Sequence, residues 1–264
     1  MKKIVVILML LFAVGFQTMA QVDYSFGNMK KSRKLKNIPY IGIKGGLTAY
    51  DMHFSNKSYN DLSSDIVLKP GFGVYVEFPV SKPRGLSFGG DLMMIERGMK
   101  KSFNHLGVKE VNQIESKYVD LRIPVRYYFL ISDYVNPYVF GAVDAAFCYG
   151  GTDKVTFPDG EYNGSSVDIS QSDAVITPFD LSLMLGGGVR FNVIFESFTL
   201  AIKLDAAYNF GLLNVKSKVE GQPVNVYAYH TEDTQSWRNR GVELMLSIGI
   251  PLKFNRMHDS CWGW

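Results

Sequence analysis

The residues with the most chemical potential are ionisable side chains set at every second position of apolar segments. In Tyr118–Phe129, Asp120, Arg122 and Arg126 alternate with Val119, Leu121, Ile123, Val125, Tyr127 and Phe129. The same spacing sets Lys44 against Ile41, Ile43 and Leu47, Glu77 against Val74, Val76 and Phe78, and Asp91 against Leu92 and Met94. Asp144, Arg190, Lys203, Asp205 and Glu243 repeat it further along, and Lys69, Arg97 and Lys253 extend the set. Successive side chains of a strand point to opposite faces, so a period of two gathers these charges on one face and leaves the other apolar. Both signs occur in similar number. Gathered in an interior they would pair as a salt-bridged plug, because an unpaired buried charge is very costly. The functional alternative is a path for protons or small ions along the same groups.

Other chemistries have weaker support. Of four histidines, His53, His105 and His230 fall between strand segments and His258 lies near the C-terminus. No HExxH and no His/Cys ligand spacing occurs, so no metal site is expected. His230, Asp233 and Ser236 share one segment and His105 lies in another. That composition would suit a rim-located enzyme acting on lipid, but no GxSxG elbow accompanies it. Gly186-Gly187-Gly188 follows a strand, yet no helix pattern comes next, as a phosphate loop requires. No cofactor is expected. Cys148 and Cys261 are read at opposite ends of the molecule, too far apart for a bridge that needs Cα atoms within ~7 Å. Both are expected as unpaired thiols, with Cys261 able to pair with another chain in an oxidising compartment.

The elements that position the charges are strands. Eight are expected: Tyr40–Asp51, Ile66–Val80, Leu86–Met99, the two strands of a hairpin within Tyr118–Ala146, Pro178–Ile194, Ser197–Leu212 and Arg240–Phe254. The alternation blurs near Ile95-Glu96-Arg97, where a bulge is expected. The strands run about twice the usual ~5–6 residues. A tilted strand needs ~9–11 residues to cross a bilayer. With an interior too charged for a packed core, the reading is an all-β, eight-stranded antiparallel transmembrane barrel of the outer-membrane type. Glycines on the strands (Gly45-Gly46, Gly71, Gly73, Gly89-Gly90 and Gly186–Gly188) are expected at bends or close backbone approaches.

Short links (Ser81–Gly85, Ile131–Asn136 and Phe195-Glu196) alternate with long ones (His53–Asp65, Lys100–Gln113, Gly151–Thr177 and Leu213–Asn239). Short turns on one side and long loops on the other suit an outer-membrane barrel with both termini periplasmic and the long loops outside. Residues 1–20 read as a cleaved signal peptide: Lys2 and Lys3, an apolar run, then Thr18-Met19-Ala20. Residues 21–38 form a basic periplasmic arm, residues 39–254 the barrel, and residues 255–264 a periplasmic tail. Lys30, Lys31, Arg33 and Lys34 of the arm and Trp262 and Trp264 of the tail are candidate contacts for a partner or for lipid head groups.

Composition agrees. The 264 residues carry a net charge of +3, without the strongly basic footprint of a nucleic-acid binder. Mean hydropathy is 0.00 although 47% of residues are apolar. No later segment reaches the ~18 apolar residues of a spanning helix.

The run Leu121-Arg122-Ile123-Pro124-Val125-Arg126-Tyr127-Tyr128, followed by Pro137-Tyr138-Val139-Phe140-Gly141-Ala142, resembles the PorT-like outer-membrane β-barrel family of Bacteroidota. The Ala20-Gln21 signal-peptide end is similar too. The resemblance implies a non-enzymatic barrel, an accessory or structural subunit of an outer-membrane protein secretion or assembly complex. Its partners would be other outer-membrane or periplasmic proteins, met through the termini or the barrel wall. The alternative reading is a narrow pore for small solutes or ions.

Overall fold

A computed structural model describes residues 38–54, 68–80, 85–105, 108–156, 166–169, 176–195, 199–215 and 236–252. The candidate contacts at 30–34, 262 and 264, the signal segment, Cys261, Lys253, His230 and Asp233 lie outside them.

Among the described residues there are nine strands: β1 Tyr40–Phe54, β2 Leu68–Pro79, β3 Leu86–His105, β4 Val108–Tyr128, β5 Val135–Thr156, β6 Ser166–Ile169, β7 Phe179–Ile194, β8 Thr199–Gly211 and β9 Trp237–Pro251. Eight of them close into an antiparallel ring in the order β1-β2-β3-β4-β5-β7-β8-β9, and β9 pairs back onto β1 from Tyr40↔Pro251 to Phe54↔Trp237. β6 stands outside this ring and pairs antiparallel to the C-terminal end of β5, Gly151–Lys154 against Ser166–Ile169. The segments rich in Val, Ile, Phe and Tyr at alternate positions are the ones that pair, as a pleated surface favours.

The pattern of burial is inverted relative to a water-soluble protein. Leu121, Ile123, Val125 and Tyr127 of β4, with Phe129 just beyond it, are 45–58% exposed, whereas Asp120, Arg122 and Arg126 are 0–1% exposed. β9 repeats this, with Val242, Leu244, Leu246, Ile248 and Ile250 outward and Glu243, Met245 and Ser247 inward. Such a continuous apolar exterior requires an apolar surround.

Three expectations change. No register shift occurs at Ile95–Arg97, where β3 pairs regularly with Tyr118, Lys117 and Ser116 of β4. The alternation blurs because the outward apolar row ends at Met94, while Ile95 and Met99 turn inward with Met93. The irregularity lies on β5 instead, where Lys117 pairs with Gly150 and Tyr118 with Cys148, leaving Tyr149 as the extra residue. Second, Lys100–Gln113 is no loop. The β3–β4 ladder continues to His105↔Val108, and β5 likewise runs to Thr156, into the expected long link after Gly151. Third, Lys69 is not sealed in the lumen. Its ammonium reaches Glu115 (2.6 Å) and Glu96 (3.5 Å), groups of the outward phase, and its side chain stays about one-quarter exposed.

The glycine run of β7 makes space for aromatic side chains of β5. A Cβ added at Gly186 would stand 2.7 Å from the Phe140 ring, and one at Gly188 would stand 2.9 Å from that of Tyr138. Both distances are below contact, as are those to the Ala206 (2.5 Å) and Leu204 (2.4 Å) carbonyls of β8, so a side chain at either position would meet the β8 backbone as well as the rings.

Candidate functional site

The inward side chains form one sealed network. All eleven candidates (Lys44, Glu77, Asp91, Asp120, Arg122, Arg126, Asp144, Arg190, Lys203, Asp205 and Glu243) are buried in the lumen. Arg97, Lys101 and Asp180 join them, so among the described residues buried cations and anions are equal in number.

The network has two zones. Toward the long-loop end, Arg97 is the hub. Its guanidinium donates to Asp120 (2.6 Å), Asp144 (2.8 Å) and Asp180 (2.9 Å), from four different strands in all. Arg122 donates to Asp120 (2.9 Å) and to both oxygens of Glu243 (2.8 and 2.9 Å). Neutral groups take up further oxygens: Tyr50 donates to Glu243, Asn209 to Asp144 and Asn239 to Asp180. The Arg97 guanidinium also lies over the rings of Tyr118 (4.8 Å) and Tyr50 (5.1 Å), a favourable placement for a cation. Four carboxylates surround two guanidiniums here.

Toward the short-turn end the balance reverses. Glu77 accepts from Lys203 (2.7 Å), Tyr128 (2.7 Å) and Ser87 (3.0 Å). Lys44 bridges Asp91 (3.1 Å) and Asp205 (3.2 Å), and Arg126 donates to Asp91 (3.3 Å). Arg190 stacks over Tyr40 (4.3 Å) near the mouth and donates to Asn192 (2.8 Å). Four cations here meet three carboxylates.

This geometry favours a plug. Every level of the lumen presents groups of 0–2% exposure, such as Arg97, Asp120, Arg122, Asp144, Asp91, Lys203 and Glu77. A continuous water channel would leave them wetted. An eight-stranded barrel is just wide enough for side chains to fill, and the tyrosines help to fill it: Tyr75, Tyr118, Tyr128 and Tyr138 all point inward. A pocket at the long-loop rim, between Tyr50, Lys69, Arg97 and Glu115, holds about 10 Å³, roughly one water molecule.

Among the described residues, no group of His, Cys, Asp and Glu is arranged to hold a metal ion. The lumen carboxylates face arginines and lysines instead. Of the rim-enzyme residues, Ser236 is described, immediately before β9, whereas the His105 side chain, His230 and Asp233 fall outside the described set; the remaining described histidine, His53, lies at the long-loop end of β1. Burial, then the cations Arg240, Lys101 and Arg238, hold the His53 imidazole below its usual range. Cys148 is a free, buried thiol packed with Tyr118 and Ala146.

Alternation on the sequence finds the lumen set, Arg97 included, but not that Arg97 is its hub. Arg97 sits where the alternation blurs, Lys101 falls in a segment expected as a loop, and Asp180 opens its strand. Their signal is phase: each keeps the inward parity of a neighbour already assigned.

The family model described as an outer membrane protein beta-barrel domain matches residues 38–217. No curated protein matches the chain. Among solved structures, Ail, the attachment invasion locus protein of Yersinia pestis, is similar at 14% identity, with 81% of this chain and 99% of Ail covered and a TM-score of 0.35. Neisserial surface protein A is similar at 14% identity, with 80% and 96% covered and a TM-score of 0.40. The outer membrane protease OmpT from Escherichia coli is similar at 7% identity, with 85% and 97% covered and a TM-score of 0.33. With the family model matching well over half of its length, on a closed ring that turns its apolar side chains outward, this chain belongs to the outer membrane protein beta-barrel domain family and resides in the outer membrane.

Proposed function

We propose that the protein is a non-enzymatic, closed barrel that works through its exterior and its ends, as an accessory or structural subunit of an outer-membrane protein secretion or assembly complex. The observation that carries this reading is the filled lumen: among the described residues the inward charges are buried and paired with one another. The resemblance of the Leu121–Tyr128 and Pro137–Ala142 runs to the PorT-like family of Bacteroidota supports the secretion or assembly role. The termini leave the barrel beside the short turns, where Leu252 N–H bonds to the Pro39 carbonyl. That end is the periplasmic one in this reading. In this reading the basic arm, with Lys30, Lys31, Arg33 and Lys34, and the tail, with Trp262 and Trp264, are the segments that a periplasmic partner would meet.

The test is a gentle detergent pull-down of the tagged protein from its native outer membrane, with mass spectrometry of what co-purifies in fixed ratio. Stoichiometric partners that vanish on deletion of residues 255–264 or 21–38 support the subunit reading. A clean monomer overturns it. The second reading, a narrow pore for small solutes or ions, draws on the opposite charge balance of the two lumen zones. It requires single-channel conductance in planar bilayers, with ion selectivity altered by Arg126→Ala.

A further inference from the structure

One side of the short-turn rim carries an apolar surface that strand alternation does not explain. The β4–β5 turn contributes Phe129, Leu130, Ile131 and Tyr134, each 46–58% exposed, and the end of β7 contributes Ile194 and Phe195, both 46% exposed. Phe129 and Phe195 continue the outward rows of their strands. Leu130 and Ile194 do not: they fall on the inward parity, one step past Tyr128 and Asn192, which are buried. These two side chains have left the lumen and stand at the rim itself.

The two segments form one surface. β5 pairs with β7 at Val135↔Phe191. Asn192 N–H bonds to the Tyr134 carbonyl (2.7 Å), and its side-chain amide to the Asp133 carbonyl (2.9 Å). The turn is held internally as well. Ser132 Oγ accepts from the N–H groups of Tyr134 and Val135 and donates to the Val135 carbonyl. A turn with this many bonds presents its apolar side chains in a fixed place. Two strands away, the β2–β3 link reads Ser81-Lys82-Pro83-Arg84, which is basic.

The geometry points to lipid as the occupant of this surface: the leaflet on the short-turn side covers the β4–β5 and β7 rim. The surface is continuous with the outward rows Val125-Tyr127-Phe129 and Phe191-Val193-Phe195, already in contact with hydrocarbon in an outer-membrane barrel. Tyr134 and Phe195 would sit at the level where aromatic side chains favour the head-group boundary. The barrel is therefore seated unevenly, deeper on the β4–β5–β7 side. This inference does not depend on the proposed subunit role.

The experiment places a nitroxide at Leu130→Cys, Ile131→Cys or Ile194→Cys in a Cys261→Ser background, Cys148 being buried. The full chain is refolded into phosphatidylethanolamine/phosphatidylglycerol vesicles, and only variants with the heat-modifiable gel mobility of a closed barrel are read. Collision with oxygen is compared with collision with a water-soluble nickel chelate. References are Val125→Cys in the apolar row and Lys154→Cys at the exposed end of β5. Rim labels with the oxygen-rich, chelate-poor ratio of Val125→Cys, together with a chelate-accessible label at Ser81→Cys, are the expected result. Rim labels as chelate-accessible as Lys154→Cys would overturn the inference and leave the surface to a periplasmic protein. Equal ratios at Ile131→Cys and Ser81→Cys would overturn the uneven seating.

Discussion

Replacing Arg97 by methionine should cost about 3–5 kcal/mol of barrel stability, the range for removing one partner of a buried charge group. The side chain is fully buried and donates to three carboxylates within 2.9 Å. Methionine keeps much of the volume and removes every donor. The three acids do not suffer equally. Asp120 and Asp144 keep Arg122 at 2.9 and 3.7 Å, whereas Asp180 is left with the Asn239 amide at 2.9 Å. Most of the loss therefore belongs to Asp180, and the double variant Arg97→Met/Asp180→Asn should recover a large part of it. Lys69→Met serves as the control. Its ion pairs sit at the partly exposed rim, and the loss should stay below ~1 kcal/mol. The assay is urea unfolding of vesicle-refolded protein, followed by the fluorescence of Trp237, which is fully buried at the outer end of β9. A loss for Arg97→Met no larger than that for Lys69→Met would refute the reasoning, since only a hydrated lumen could screen three carboxylates so well.

Other outcomes are expected. Leu246→Arg, on the apolar exterior, should cost ~2–4 kcal/mol at mid-bilayer depth, while Ser247→Thr, one residue on and inward, should cost little; equal losses in the same urea assay would mean that the phase of β9 is reversed. Gly188→Val should cost ~1–3 kcal/mol, because its Cβ would meet the Leu204 carbonyl of β8 at 2.4 Å as well as the Tyr138 ring at 2.9 Å; full rescue by Tyr138→Ala in the same urea assay would refute the backbone contact as a cause. His53 should titrate below the ordinary ~6.5 of an imidazole in an NMR pH series, and Arg240→Ala should raise its midpoint. Because its folded pKa is lowered, the folded chain binds fewer protons there, so its contribution to stability is present above that ordinary value and is lost as pH falls through the folded one. A His53 midpoint unmoved by Arg240→Ala would remove the neighbouring cation as a cause.

How far the molecule could be read from its chain depends on depth in the membrane. Between Leu121 and Phe129 an apolar exterior and a charged interior impose period two on every residue, so strand, phase and facing are legible. Beyond Met94 on β3 and Tyr118 on β4 the exterior is no longer apolar. Both faces of Glu96–Ser102 carry polar groups, and the ladder to His105↔Val108 leaves no periodic trace. The candidate site divides the same way. Asp120, Arg122 and Arg126 are plain from spacing, but that three acids from β4, β5 and β7 converge on Arg97 follows from closure and tilt, which no local pattern encodes. β6 is too short for any periodicity to be read.

The seam between β1 and β9 sets the order of assembly. It joins Tyr40 to Pro251 and Phe54 to Trp237, residues separated by nearly the whole barrel sequence, and contacts of such separation form late and slowly. Until β9 arrives, β1 and β8 each present a row of unpaired N–H and C=O groups, which hydrocarbon cannot satisfy. A partly zipped intermediate is thus costly inside the bilayer and sticky outside it. Insertion and closure must then be one event, with the last strand synthesised acting as the latch that every earlier strand waits for.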